Sequence, residues 1–128
     1  MLLASIGALV GCAAVAPTAE SRAADVKSRA EARWALLVSG ELKKAYDFLS
    51  PGQRAVTTAE QYAGSIKVGL WREAKVVSAD CPDESNLCKV SVNVKYTFAK
   101  GKGAFENERG LVEKWRHDDG KWWFVESE

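Results

Sequence analysis

The stretch that decides the fold is Cys88-Lys89-Val90-Ser91-Val92-Asn93-Val94-Lys95-Tyr96-Thr97-Phe98. Its apolar and polar residues alternate without a break, and successive side chains on a β-strand point to opposite faces of a sheet. The pattern therefore predicts a strand with one buried face, which starts at Cys88, and one wetter face.

Three further segments predict the remaining strands of an antiparallel sheet. Trp71 to Ala79 precedes the deciding stretch, and Glu106 to Arg116 follows it after a turn at Gly101-Lys102-Gly103. The turn formers His117-Asp118-Asp119-Gly120 then predict a hairpin that leads into a last strand at Lys121 to Ser127.

The segment before the strands has helical spacing instead. A first helix is predicted at Ser21 to Val38, with an apolar stripe through Val26 and Trp34, with Arg33 on the wet side, and with Gly40 as its end. A second helix is expected at Glu41 to Leu49.

A new helix is predicted to begin at Ser50-Pro51, because Ser can cap a helix and Pro suits its first position. Thr58 and Gln61 fit a capping box, so a third helix should run to about Ile66. The sequence predicts an α+β domain with N-terminal helices packed on a curved four-stranded antiparallel sheet.

The N-terminal residues predict an export signal with a lipid anchor. Residues 1–19 carry no charge, and the apolar run from Leu2 ends in Leu9-Val10-Gly11-Cys12, which resembles the bacterial lipobox. We therefore expect a signal peptide at 1–11, a tether at 12–20 lipidated on Cys12, and one domain at 21–128. No basic residue precedes Leu2, which leaves the true start open. The alternative is an ordinary signal peptide cleaved after Ala14 or Ala16.

The two other cysteines, Cys81 and Cys88, form an even pair separated by turn-forming residues. Two strands joined by such a loop would bring them within disulfide reach, as expected for an exported protein. A metal site is the alternative, but the spacing is not C-x-x-C and the only histidine, His117, is distant in sequence. No metal or cofactor is expected.

The formal net charge of +1 argues against nucleic acid as the main partner, because such partners require a basic footprint. Acidic and basic residues are also interleaved along the chain, so no tail of like charge is indicated.

Two segments carry a family likeness that covers about residues 23 to 126. The first comprises Arg33 to Leu37 and Ala45-Tyr46-Asp47-Phe48-Leu49-Ser50-Pro51, and the second comprises Trp115 followed by Asp119-Gly120-Lys121-Trp122-Trp123-Phe124. They resemble the helical half and the last hairpin, respectively, of the nuclear-transport-factor-2-like superfamily. The resemblance implies a sheet that closes over the helices into a cone with an inner pocket. That superfamily includes isomerases, dehydratases and transport adaptors, so the fold implies no single function.

Glu113 is the only candidate catalytic residue. It is in phase with Leu111 and Trp115, so its carboxylate could be buried on the apolar face with a raised pKa. Alternatively, that face is wet there, or Glu113 pairs across strands with a Lys or Arg. His117 is expected to be a solvated turn residue.

The aromatic residues are candidates for a binding surface. Trp34, Tyr62 and Trp115 could line the pocket of a cone, although core packing explains most aromatics. Trp122 and Trp123 must point to opposite sides of their strand. We expect Trp122 to face the helices and Trp123 to lie on the other face, as an anchor for a partner or a second subunit.

The sequence thus favours an exported, membrane-anchored lipoprotein of the bacterial cell envelope that binds a small apolar ligand or an envelope protein without catalysis. One alternative is an isomerase or hydratase that uses Glu113. The other is a structural module that assembles as a homodimer through the open face of its sheet.

Replacement of Cys12 by Ala should leave the domain unanchored or the leader uncleaved, because Cys12 is the predicted acylation site. Incorporation of a labelled fatty acid in growing cells measures this directly. Label that persists in the Cys12→Ala variant would contradict the prediction.

Overall fold

The computed structural model of the chain describes residues 18–66, 71–82 and 85–127. The predicted signal peptide, Cys12 and residues 12–17 of the predicted tether lie outside the described residues. The first helix, α1, spans Ala19–Ser39 and begins two residues before the predicted start, because the Thr18 side chain caps it by accepting a hydrogen bond from the backbone N–H of Ser21. No helix in the described ranges is long and apolar enough to cross a membrane.

Three shorter helices follow α1. Gly40 ends α1 in the left-handed conformation, with φ +81°, as the sequence predicted. The described chain then forms α2 at Leu42–Ala45, a 3₁₀ turn at Tyr46–Phe48, α3 at Pro51–Val56 and α4 at Ala59–Ser65.

The predicted third helix is therefore two helices. Ser50 and Pro51 begin α3 as expected, but Thr57 is extended, with φ −131° and ψ 126°. The capping box of Thr58 and Gln61 is present and begins α4, which requires α3 to have ended before it.

The four strands form one antiparallel sheet in the order β1-β2-β3-β4. They are β1 at Trp71–Asp80, β2 at Leu87–Lys100, β3 at Gly103–Asp118 and β4 at Lys121–Ser127. The α+β architecture predicted from the sequence is confirmed, and the sheet is open, since β1 and β4 do not pair with each other.

The core lies between α1 and the inner face of the sheet, which we define as the face of Val90, Val92 and Val94. These three β2 side chains are buried in alternation with more exposed neighbours, as the deciding stretch predicted. From α1, Val26 and Ala30 are fully buried against them.

The β2–β3 hairpin is longer than the strands beside it. β1 pairs with β2 only as far as the Trp71–Tyr96 pair, whereas β2 and β3 remain paired out to Lys100 and Gly103. On the other side, β4 pairs with β3 only from Glu113 onward. Within the described ranges, which omit residues 67–70 before β1, the outer part of the hairpin therefore has no strand partner on either side.

The cysteine pair joins the two ends of the β1–β2 connection, with Cys81 directly after β1 and Cys88 near the start of β2. Cys81 and Cys88 lie with their Cα atoms 4.4 Å apart and their sulfur atoms at disulfide distance. Both side chains are buried at the edge of the core. The predicted pairing of these two cysteines is thus confirmed at the level of geometry.

Opening this disulfide should lower the free energy of unfolding by about 2–3 kcal/mol, because a cross-link over so short a loop restricts the unfolded chain only moderately. Urea unfolding of the wild type with and without reductant measures the change, and the Cys81→Ser/Cys88→Ser variant serves as the thiol-free reference. Two free thiols in freshly isolated protein, detected by mass spectrometry, would show that the bond is absent.

Candidate functional site

The structure places the Glu113 side chain at the centre of the domain. Glu113 lies on β3 opposite Val90 of β2 and is 0% exposed. The expected position between Leu111 and Trp115 on the inner face is correct. The alternative of a wet face at this point is therefore excluded.

Three donors satisfy the Glu113 carboxylate. Arg33 of α1 donates from Nη1 to Oε2 at 2.9 Å, and the Trp34 indole N–H donates to the same oxygen at 3.1 Å. The Trp115 indole N–H donates to Oε1 at 3.3 Å. The carboxylate thus pairs with an arginine, as one alternative supposed, but with an arginine of the helix and not of a neighbouring strand.

Arg33 connects this carboxylate to two further elements. Its Nη2 donates to the Tyr62 hydroxyl of α4 at 3.1 Å. Its Cζ atom lies 3.6 Å from the centre of the Phe124 ring, within the range of a cation–π interaction. One buried guanidinium therefore joins α1, α4, β3 and β4.

The buried polar cluster, defined as Arg33, Trp34, Tyr62, Glu113 and Trp115, includes three of the four aromatics proposed for binding. Sequence reasoning missed Arg33, which was expected on the wet side and is only 5% exposed. The signal was available in its spacing, since positions 26, 30, 33 and 37 follow one helical stripe.

The cluster is closed to ligands as it stands. Glu113, Arg33 and Tyr62 are all buried, and both carboxylate oxygens already accept hydrogen bonds. A general base must reach the proton that it removes. A catalytic role for Glu113 therefore gains no support from the geometry, and the cluster is best understood as a stabilising contact.

Trp123 lies apart from this cluster, and the expectation that its ring is exposed is wrong. It is 8% exposed, and its indole N–H donates to the backbone oxygen of Asp118 at 3.0 Å. The Arg54 guanidinium covers the ring, with its Cζ 5.2 Å from the ring centre, and Arg29 lies at 5.8 Å. Trp122 packs in the core as predicted.

A second feature is an aromatic row on the inner face, beyond the buried core. We define the aromatic strip as Trp71, Tyr96, Phe98 and Phe105. Tyr96 and Phe98 continue the alternation of Val90 to Val94, and their ring centres are 6.1 Å apart. Phe98 stacks on its cross-strand partner Phe105 at 5.7 Å.

The outer end of the strip is exposed to solvent, whereas Trp71 and Tyr96 at its inner end are half-buried. Phe98 and Phe105 are 37% and 49% exposed, although the sequence pattern had placed Phe98 on a buried face. The outer face at the same level is charged, with Lys95 paired to Glu73 at 3.6 Å. An exposed apolar surface of this kind is a candidate interaction site.

A pocket of about 330 Å³ lies at the inner end of the strip. Its walls are Trp71, Val94, Tyr96, Arg109 and Leu111. A larger groove of about 630 Å³ runs between α1 and β1, but its lining mixes acidic and basic side chains and favours no ligand of one charge. Among the described residues, no group of three or more His, Cys, Asp or Glu side chains could hold a metal ion.

The comparisons with known proteins support the fold alone. The chain is similar in structure to a SEC-C motif containing protein from Rhodopseudomonas palustris, with a TM-score of 0.59 and 17% sequence identity over 86% of this chain and 83% of that chain. No protein-family model matches the sequence, and no curated protein is significantly similar to it.

The expected membership of the nuclear-transport-factor-2-like superfamily is therefore wrong. The structural match is to a SEC-C motif protein, and the open sheet does not form a closed cone. The residues that carried the likeness are packing residues, such as Leu37 and the aromatics around Asp119-Gly120. Many α+β hairpins need such residues, so they do not specify a family.

Replacing Glu113 by Ala should lower the free energy of unfolding by about 3–5 kcal/mol, because it leaves the Arg33 guanidinium buried without a counter-ion. The Arg33→Met/Glu113→Leu variant, which removes both charges, should lose less. Urea unfolding followed by tryptophan fluorescence measures both.

Glu108→Ala is the matched control for this experiment, because Glu108 lies on the same strand but is exposed. Its effect should stay within about 0.5 kcal/mol. If Glu113→Ala were as mild as this control, the cluster would not stabilise the fold.

Proposed function

We propose that this chain is an exported, lipid-anchored protein of the bacterial cell envelope whose domain binds an apolar ligand, or the apolar part of an envelope partner, at the aromatic strip. The observation that carries the proposal is the strip itself. Its aromatic side chains share one face, Tyr96, Phe98 and Phe105 contact one another in a row, and Phe98 and Phe105 remain exposed. Folding alone does not require such a surface at the end of a sheet.

The lipid anchor is supported by the sequence around Cys12 and by the position of the first helix. Residues 13–17 separate Cys12 from the helix cap Thr18. Even fully extended, a segment of this length reaches only about 20 Å. A lipid on Cys12 would therefore hold the domain close to the bilayer, where apolar ligands are concentrated.

The cysteine pair supports the same location. Cys81 and Cys88 lie at disulfide distance, and such bonds persist in oxidising compartments outside the cytoplasm. Binding without catalysis is supported by the closed cluster, since the best candidate base, Glu113, has no open side for a substrate.

Trp71 offers a reporter for the binding test. It is the only tryptophan of the aromatic strip, whereas Trp115, Trp122 and Trp123 lie elsewhere. In a titration of the ¹⁵N-labelled Cys12→Ala protein with decanol, the Trp71 indole resonance should shift saturably. The Cys12→Ala change removes the lipid as a competing apolar group.

Phe98→Ser and Phe105→Ser should each weaken decanol binding about tenfold, because each removes apolar contact area. Both side chains are only partly exposed, so urea unfolding of each variant is measured alongside binding to show that it remains folded. Val77→Ser, which alters an exposed apolar residue of β1 outside the strip, is the control and should bind as the wild type does.

Two results would contradict the proposal. One is the absence of any saturable shift of the Trp71 indole resonance. The other is binding that Phe98→Ser and Phe105→Ser leave unchanged. A concentration-dependent rise in sedimentation coefficient, abolished by the same variants, would instead show that the strip is the contact between two copies of the chain.

A further inference from the structure

We infer that the pocket at the inner end of the strip takes a monocarboxylic acid with an apolar body, such as a medium-chain fatty acid. We call it the Arg109 pocket, lined by Trp71, Val94, Tyr96, Arg109 and Leu111. The inference rests on the proposed function and adds the ligand class. Arg109 binds the carboxylate, and the apolar body lies along Phe98 and Phe105.

Among the described residues, Arg109 is the only charged side chain that lines this pocket. Its cross-strand partner is Val94, a buried apolar residue, so the register supplies no acid to neutralise it. Its neighbour Glu108 points to the other face of the sheet, where it lines a charged groove with Lys95. Arg109 itself is exposed, and the other described residues that line the pocket are aromatic or aliphatic.

A guanidinium in such surroundings selects a planar anion. Its N–H groups form a fork that matches the two oxygens of a carboxylate, and charge-assisted hydrogen bonds of this kind are the strong ones. A single cation lines the pocket, which suits a monoanion better than a dianion such as a phosphate monoester.

Tyr96 supplies a second donor. Its hydroxyl oxygen accepts a hydrogen bond from Nδ2 of Asn107 at 3.2 Å. The hydroxyl proton is then directed elsewhere, and Tyr96 lines the same pocket as Arg109. A carboxylate held by Arg109 can therefore accept a hydrogen bond from the Tyr96 hydroxyl as well.

The remaining walls fit an apolar body. Trp71, Val94 and Leu111 line the pocket, and Phe98 follows Tyr96 along the strip at a ring distance of 6.1 Å. A volume of about 330 Å³ lies at the lower end of the range for small-molecule sites. A ligand with one carboxylate and one linear apolar chain would fill the pocket and extend over Phe98 and Phe105.

The test compares decanoate with decanol, which share the apolar chain and differ in charge. On the Cys12→Ala protein, decanoate should bind about tenfold more tightly than decanol, as expected for one added charge-assisted contact. Arg109→Gln should abolish this difference, whereas Arg109→Lys should retain part of it. The Trp71 indole shift reports binding in every case.

Arg72→Gln is the matched control, because Arg72 is an exposed arginine beside Trp71 that lines the α1–β1 groove and not the Arg109 pocket. It should preserve the preference for decanoate. Decyl phosphate and phosphatidylglycerol vesicles complete the set of probes and should both bind more weakly than decanoate.

The possible outcomes distinguish a failure of this inference from a failure of the proposed function. Equal binding of decanoate and decanol, or an equal loss of both in Arg109→Gln, would overturn the inference and leave the strip as a binding surface. Tighter binding of decyl phosphate or of anionic vesicles would overturn the carboxylate class. Failure of every probe to shift the Trp71 indole resonance would overturn both proposals.

Discussion

The buried ion pair between Arg33 and Glu113 is the contact on which the rest of the structure depends. Burial of two charges is costly, and their attraction offsets that cost only when other hydrogen bonds satisfy the remaining atoms. Here the Trp34 and Trp115 indoles donate to the carboxylate and the Tyr62 hydroxyl accepts from the guanidinium, which leaves Nε of Arg33, among the described residues, as the buried atom of the pair without a hydrogen bond. These bonds are directional, so they fix the rotation of α1 over the sheet more tightly than apolar packing would.

The position of α1 in turn affects the position of Trp71 at the inner end of the aromatic strip. Trp34 donates to Glu113 and also contacts Trp71 edge-to-face, with ring centres 5.2 Å apart. Trp71 is the first residue of β1 and a wall of the Arg109 pocket. The buried polar cluster and the aromatic strip are therefore linked through two adjoining indoles. A change that loosened Glu113 would be expected to disturb the pocket wall as well as the stability of the domain.

The sequence predicted local structure well, but it predicted poorly which side chains are buried by residues distant in the chain. The alternation after Cys88, the capping box of Thr58 and the αL stop at Gly40 were all confirmed, because each depends on residues close in the chain. Arg33 was misplaced because its charge outweighed its helical spacing. The exposed ring expected at Trp123 is covered by Arg54, which comes from a helix that no strand pattern can locate. Alternation identifies the inner face, but it does not tell how far the helices extend over it.

Because the sequence pattern does not show how far the helices extend over the inner face, the exposure of the strip is visible only in the structure. Among the described residues, β1 and β4 pair with the hairpin only at its base, and Phe98 and Phe105 keep 37% and 49% of their surface exposed. Exposed aromatics on a strand with open edges favour aggregation, and exposed lysines are a common protection. Lys100 and Lys102 stand at the hairpin turn in this way. The proposed binding at the strip would account for a surface that carries such a hazard, and Arg109 would then set the charge of the ligand.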